Sequence, residues 1–231
     1  RPDPASGLFT VHSANPVADA DRLLARFLPR AFRRPVSDEI RGAYVERVRQ
    51  RLAAGDCLEA ALREAYRMAL CAPDFLYHVA SPGTRPGAID DYALAARLSY
   101  FLWNSLPDAR LTELSVAGTL AQPDVLRGEV ERLLNDPRAR RFRDDFLGQW
   151  LKLRQIAAND PDHKLYPEFS PYLQDSMVAE TRAYFQELID RNLPAGYLVQ
   201  SDFAMLNEKL AVHYGIPGVS GPQVRRVALP P

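Results

Sequence analysis

Apolar residues recur at intervals of three and four along most of the chain, the spacing of one helix face. The clearest stripes are Leu23, Leu24, Phe27 and Leu28; Ile40, Tyr44, Val48 and Leu52; Leu58, Ala61, Leu62, Ala65 and Ala69; and Leu173, Met177, Tyr184 and Leu188. We find no run of alternating β-branched residues and no Asn-Gly hairpin turn. The sequence therefore predicts an all-α fold, a multi-helix bundle in two helical subdomains, without a sheet.

Capping residues indicate where several helices begin and end. Ser37, Asp90 and Ser170 each precede an apolar run and are suitable N-caps. Asp56 has a glutamate three residues later, the spacing of a capping box, and so predicts another helix start. Gly215 predicts the end of the last helix, because glycine readily adopts the left-handed conformation there.

Proline and glycine divide the chain further. Pro29 is expected to end or bend the first helix, because proline lacks an N–H donor and clashes with the preceding turn. The turn-forming residues of 81–87 predict a boundary between subdomains. We expect an N-terminal helical domain at 17–80, a C-terminal helical domain at 87–216 and a linker toward a following domain at 217–231.

The equal numbers of basic and acidic residues argue against some classes of binding partner. Lys+Arg and Asp+Glu both number 29, so the formal net charge is zero. Proteins that bind nucleic acid or anionic membranes generally need a positive surplus. No apolar run approaches the roughly 20 residues that span a bilayer. We therefore expect neither a nucleic-acid partner nor a membrane-spanning segment.

Arginines form two clusters in the sequence, although the chain as a whole is neutral. Arg30, Arg33 and Arg34 form the first, and Arg138, Arg140, Arg141 and Arg143 form the second. Each could dock an acidic partner, although ion pairs between helices are our preferred interpretation.

Cys57 and Cys71 are the two cysteines of the chain. On one helix, fourteen residues would separate them by about 21 Å, whereas a disulfide needs Cα atoms within about 7 Å. We predict two unpaired thiols on or near a buried face. The chain has no Cys-x-x-Cys-His motif, so it attaches no c-type haem of its own.

Several motifs occur in an order that resembles a known arrangement. They are Leu28-Pro29-Arg30-Ala31-Phe32-Arg33-Arg34-Pro35-Val36, Ala72-Pro73-Asp74-Phe75-Leu76-Tyr77, Leu94-Ala95-Ala96-Arg97-Leu98-Ser99-Tyr100-Phe101-Leu102-Trp103, Asp136-Pro137-Arg138-Ala139, Gln149-Trp150-Leu151 and Leu206-Asn207-Glu208-Lys209-Leu210-Ala211-Val212-His213-Tyr214-Gly215. The chain resembles domains of unknown function 1595 and then 1592 of large planctomycete-type proteins, where they follow a cytochrome-c-like domain. His78 departs from the family pattern, which has arginine there, and takes no family role.

The resemblance implies a context rather than an activity. It implies a periplasmic or secreted location and a cytochrome-c-like domain as partner, in the same parent protein or in another protein. Together with the opening Arg1-Pro2-Asp3-Pro4 and the closing Pro230-Pro231, it leads us to expect a fragment of a longer protein. We expect no cofactor in this fragment, with haem only in a partner domain.

A long predicted loop holds the candidate metal ligands. Asp160, Asp162 and His163 lie close together in it, with Glu168 following. Oxygen-rich loops can bind calcium, but the spacing does not match an EF-hand. A solvated acidic loop is the preferred interpretation.

Four residues are weak catalytic candidates: His213, Asp202, Glu180 and Trp150. A histidine near a helix C-terminus is more often structural, a carboxylate beside an apolar stripe is more often a rim charge, and a tryptophan on such a stripe is more often core. No Gly-x-Ser-x-Gly motif, P-loop or Gly-x-Gly-x-x-Gly motif is present.

Three functions stay open on the sequence alone. The leading one is a non-catalytic helical scaffold or docking module, with no catalytic activity expected in this fragment alone. The alternative is a helical oxidoreductase or polysaccharide-active enzyme domain with its site at the seam between the two halves. The third is a carbohydrate-binding module that uses Tyr166, Phe169 and Tyr172.

Overall fold

The computed structural model describes residues 13–78, 80, 83, 87–158, 161–162 and 164–229. The chain divides into two compact units, residues 1–136 and residues 137–231. This division falls elsewhere than the predicted domain limits, 17–80 and 87–216, which stay predictions. Across the described ranges, no helix combines the length and the apolar character that crossing a membrane requires.

Helices make up most of both units, which confirms the all-α prediction. The first unit contains α1 (Pro16–Phe32), α2 (Asp38–Ala53), α3 (Leu58–Leu70), α4 (Pro73–Leu76), α5 (Asp91–Trp103), α6 (Ala109–Val116) and α7 (Pro123–Leu134). The second unit contains α8 (Arg140–Trp150), α9 (Pro171–Asp190), α10 (Glu208–Tyr214), three short 3-10 helices (Pro137–Ala139, Leu153–Ala158 and Ala195–Leu198), and the strands β1 (Phe203–Leu206) and β2 (Arg225–Ala228).

Four of the five predicted capping residues are at helix ends as expected. Ser37, Asp90 and Ser170 each accept a hydrogen bond from the backbone N–H three residues later. Gly215 ends α10 with a left-handed φ of 69°. The prediction of a capping box at Asp56 was wrong. The N-cap of α3 is the next residue, Cys57, whose side chain forms no capping hydrogen bond. Asp56 instead pairs with Arg51 at 2.5 Å.

The prediction that α1 ends at Pro29 was wrong, because α1 continues to Phe32, whereas a bend at Pro29 stays a prediction. Leu28, Ala31 and Phe32 are all buried. Burying these side chains favours another turn of helix, which offsets the missing N–H donor of proline.

The core of the first unit begins with α1, α2 and α3. Leu24, Leu28, Val48, Ala61 and Ala65 are all fully buried there. The alanines of α3 carry short side chains, so this helix can approach its neighbours closely. Most residues of the predicted stripes on these helices therefore lie in or against this core, although Leu23 and Ile40 are exposed.

Helices α5, α6 and α7 are joined by Trp103 and a buried ion-pair network. Trp103 is fully buried, and its indole N–H donates to the carbonyl of Leu133 at 2.9 Å. The Glu129 side chain is 2% exposed and pairs with Arg110 at 2.5 Å and Arg132 at 2.6 Å. Although burial raises it, hydrogen bonds from Arg132 and Arg110 hold the pKa of Glu129 below its ordinary value.

The expectation of a fold without a sheet was wrong, because the second unit contains a small two-stranded sheet. β1 pairs with β2 antiparallel, with Phe203 opposite Ala228 and Leu206 opposite Arg225. β2 lies within the segment 217–231 that was expected to be a linker. Strands of four residues are too short to show a clear alternation of apolar and polar positions. Leu206 packs with the apolar faces of α9 and α10.

The cysteine predictions had mixed outcomes. Cys57 and Cys71 are both free, as predicted, but both are exposed rather than near a buried face. They are the two residues that flank α3, as its N-cap and its C-cap. Residues at helix ends lie outside the buried stripe, which explains the difference.

Candidate functional site

A pocket of about 410 Å³ lies where the end of α1 meets α5 and α6. Its apolar walls are formed by Pro29, Pro35, Val36, Ala95, Leu106, Pro107 and Val116. Arg30, Arg33 and Arg34 also line it. The volume lies within the range of sites that hold small ligands or anchoring groups.

Two turns create this pocket. α1 ends at Arg33, whose backbone is left-handed with a φ of 59°. α5 ends at Asn104, also left-handed, with a φ of 50°. Each turn is followed by a proline, Pro35 and Pro107, which cannot continue a helix and sends the chain across the pocket wall.

The three arginines have different roles. Arg33 donates hydrogen bonds to the carbonyls of Asp74 at 2.6 Å, Phe75 at 3.1 Å and Tyr77 at 2.9 Å. Arg34 pairs with Asp90 at 3.2 Å. Arg30 is exposed and has no ion pair or hydrogen bond to any residue that the structure describes. Arg30 is therefore the guanidinium best able to meet a ligand.

The lining favours binding over acid–base chemistry. Its serine and threonine hydroxyls already bond to backbone: Thr112 donates to the carbonyl of Asp108 at 2.9 Å, and Ser115 to that of Leu111 at 2.8 Å. Its titratable side chains are the guanidinium groups and the Tyr92 phenol. Catalysis by proton transfer uses groups that titrate nearer the working pH, such as imidazole or carboxylate.

His78 lies beside this region and lines a smaller pocket with Arg33, Arg34 and Arg97. Its ring meets that of Tyr100 edge-on at 4.7 Å. Burial, together with the charges of Arg33 and Arg97, lowers the pKa of His78. The lowered pKa favours the neutral form of the imidazole.

Glu180 and His213 come together in the second unit through Tyr214. The Tyr214 hydroxyl donates to the Glu180 carboxylate at 2.9 Å. Burial raises the pKa of Glu180, while the Tyr214 hydrogen bond and the nearby His213 act in the opposite direction. Burial and then the charge of Glu180 raise the pKa of Tyr214 to about 12.

The other two catalytic candidates have different surroundings. Trp150 is 51% exposed and lies 5.4 Å from the ring of Phe146, so the expectation that it packs in the core is corrected. It is the last residue of α8, where the helix leaves its packed neighbours. The carbonyl of Asp202 accepts a hydrogen bond from the backbone of Leu229 at 2.8 Å.

Of the metal candidates, Asp160 and His163 lie outside the described residues. The carboxylate of Asp162 accepts a hydrogen bond from the backbone N–H of Lys164 at 2.8 Å. Within the part of the chain that is described, no three potential ligands are grouped around a metal position. Of the predicted carbohydrate-binding aromatics, Tyr166 is 53% and Tyr172 is 50% exposed.

Sequence reasoning did not identify the pocket as a site. It noted Arg30, Arg33 and Arg34 as a basic cluster but could not pair them with Leu106 or Val116, which are about 70 to 90 positions away in the chain. The one available signal was the arginine cluster between two prolines.

Comparison with known proteins identifies two family segments. The family model PSD4, described as protein of unknown function (DUF1592), matches residues 89–216, more than half of the 231-residue chain. The model PSD5, described as protein of unknown function (DUF1595), matches residues 19–79. Their order confirms the resemblance seen in the sequence. No curated protein and no solved structure matches the chain. The chain therefore belongs to the PSD4 family, with a PSD5 segment before the PSD4 segment.

Proposed function

We propose that this chain is a non-catalytic helical docking module of a larger exported, cytochrome-c-linked redox protein. The observation that carries the proposal is the lining of the pocket between α1, α5 and α6. It offers apolar walls and the guanidinium of Arg30, which pairs with no described residue, and both suit recognition of another molecule. Its serine and threonine hydroxyls bond to backbone, so they are poorly placed as nucleophiles.

The position of the pocket also supports docking. Arg30 belongs to the PSD5 segment and Leu106 to the PSD4 segment. A partner seated there would touch both segments at once. The family resemblance implies that the partner is a cytochrome-c-like domain and that the protein is periplasmic or secreted.

The test is a calorimetric titration of this chain with the separately expressed cytochrome-c-like domain of the parent protein. We expect saturable one-to-one binding, and no Soret absorbance from this chain alone. An unrelated c-type cytochrome is the control for non-specific attraction. Absence of saturable heat with the cytochrome-c-like domain would end the docking proposal.

One observation favours the enzyme alternative. Glu180 has a raised pKa and lies beside Tyr214, and a carboxyl group with a raised pKa is a usual general acid in glycoside hydrolysis. The test is incubation with a polysaccharide panel, using Glu180→Gln as the matched variant. Product from the wild type but not from E180Q would favour an enzyme; no product from either would remove the polysaccharide-active alternative.

A further inference from the structure

Three pockets follow one another along α1. The pocket of about 410 Å³ shares Arg30 and Leu106 with a second pocket of about 460 Å³. The second shares Leu23 with a third pocket of about 300 Å³, which reaches α3. All three lie within the first compact unit. Because neighbours share a wall, they form one elongated depression, which we call the α1 groove.

The floor of the α1 groove is apolar and reaches solvent. Leu23 is 36% exposed, Leu70 41%, Leu106 36% and Val116 68%. Phe27 also lies on this floor. Large apolar side chains that share one exposed depression mark a binding surface more often than isolated ones do.

The edge of the α1 groove is basic, although the chain as a whole is neutral. Arg26 and Arg30 lie four residues apart on the same face of α1, and both line the second pocket. Neither forms an ion pair or hydrogen bond with a described residue. At the far end, Arg63 is already paired with Glu59 at 2.5 Å. Among the described residues, no carboxylate neutralises these two guanidinium groups, so both can meet negative charge on a ligand.

The length of the α1 groove suits a helix. Leu23 and Arg30 are seven residues apart on α1, about 10 Å along its axis, and the outer pockets extend beyond both. An amphipathic helix of three to four turns would cover this length and place its apolar face on the groove floor. Acidic residues at i and i+4 beside that face would lie opposite Arg26 and Arg30.

We propose that the α1 groove binds an acidic amphipathic helix of the partner, with Arg26 and Arg30 pairing with its carboxylates. This inference rests on the proposed docking function and names the docking surface and the chemistry of what it holds. The chain's own residues 1–12 are a poor occupant by charge, because their single acidic residue, Asp3, is balanced by Arg1.

The first arm of the test uses a defined probe. A labelled amphipathic peptide of about four helical turns carries leucines on one face and glutamates beside it, and its control carries lysines in place of the glutamates. Binding to the full 231-residue chain is followed by fluorescence anisotropy at about 50 mM salt. We expect the glutamate peptide to bind at least about tenfold more tightly than the lysine peptide.

Charge-reversal variants locate the site. Arg26→Glu with Arg30→Glu is expected to weaken binding of the glutamate peptide by about tenfold or more. The matched control is Arg127→Glu on α7, whose side chain is 72% exposed and which lines none of the three pockets. It is expected to change binding by less than about twofold. Leu106→Ser tests the apolar floor, and far-ultraviolet circular dichroism checks that every variant is folded.

The second arm repeats the titration with the cytochrome-c-like domain. If that domain binds the wild type and the Arg26/Arg30 variant equally, the groove is not the docking surface, although the docking function stands. If that domain does not bind but the glutamate peptide does, in an arginine-dependent way, docking to the cytochrome fails and the groove inference stands.

If the glutamate peptide binds no better than the lysine peptide, the inference is overturned. If the glutamate peptide binds only after residues 1–12 are deleted, the occupant is the chain's own segment, which also overturns it.

Discussion

The guanidinium of Arg33 donates a hydrogen bond to the carbonyl oxygen of Tyr77, 2.9 Å away. The same side chain bonds to the carbonyls of Asp74 and Phe75, so the end of α1 is fastened to α4 and the residue that follows it. Arg33 therefore stabilises one wall of the pocket between α1, α5 and α6, and does so by bonding to residues near the end of the PSD5 segment.

Arg33→Ala is expected to lower the free energy of unfolding by about 1–2 kcal/mol, because these hydrogen bonds involve a charged donor but are partly exposed. Arg33→Gly loses the same bonds but relieves the left-handed backbone at φ 59°. It is therefore expected to be more stable than Arg33→Ala by about 1 kcal/mol. Urea denaturation measures both, and equal stability of Arg33→Ala and wild type would contradict the fastening role.

Glu129→Ala is expected to lower the free energy of unfolding by about 2–3 kcal/mol at pH 7, because Arg110 loses its carboxylate partner and Arg132 keeps only Asp108. Glu129→Gln keeps the shape and is expected to lose less. The pKa of Glu129 is lowered in the fold. Its contribution is therefore present above the ordinary glutamate value of 4.5 and is lost as the pH falls through the folded value. Urea titrations at pH 7 and below pH 4.5 check both points; a difference between wild type and Glu129→Ala that does not shrink in acid would contradict this account.

The pH dependence of the free energy of unfolding that Glu180 contributes is expected to be opposite in sign to that of Glu129. The pKa of Glu180 is raised in the fold, so its contribution is present below the ordinary value of 4.5 and lost as the pH rises through the folded value. The thermal midpoint of the wild type is expected to fall over that range, and that of Glu180→Gln to stay flatter. Parallel curves for the two proteins would show that Glu180 is not responsible.

The pKa of Tyr214 tests the same contact between Tyr214 and Glu180. Burial and then the Glu180 charge raise the pKa of Tyr214 to about 12. Removing that charge in Glu180→Gln should bring the pKa below the wild-type value, although burial keeps part of the shift. Ultraviolet absorbance titrations, with Tyr214→Phe subtracted to isolate this phenol, measure the change. An unchanged pKa would mean that the charge of Glu180 does not act on Tyr214.

Both cysteines are expected to react with a thiol reagent in the folded chain, because Cys57 and Cys71 are free and exposed. Ellman's reagent should release two equivalents of thiolate per chain without denaturant, and Cys57→Ser and Cys71→Ser one each. Labelling that requires guanidinium chloride would place the thiols in the interior instead.

Local signals predicted much of the fold because they depend on residues close together in the chain. The start of α9 follows from Ser170 as N-cap and Pro171 at the first helical position, which need only neighbouring residues. The exact start of α3 did not follow, because Asp56 forms an ion pair with Arg51 of the preceding helix instead of capping.

Tertiary contacts explain what the sequence could not predict. β2 is defined by pairing with β1, about 20 residues earlier, and its four residues carry little pattern of their own. The pocket likewise depends on Arg30 and Leu106, which lie on different helical segments. Trp150 follows an apolar stripe on α8, yet its position at the helix end leaves it half-exposed.

The central claim is that the surface between α1, α5 and α6 is where this chain meets its partner. Amide chemical-shift mapping of the isotope-labelled chain, with unlabelled cytochrome-c-like domain added, tests it most directly. The account predicts shifts concentrated at Arg30, Val36 and Leu106 that saturate together. Shifts concentrated instead around Glu180 and Tyr214, or none at saturating partner, would contradict it.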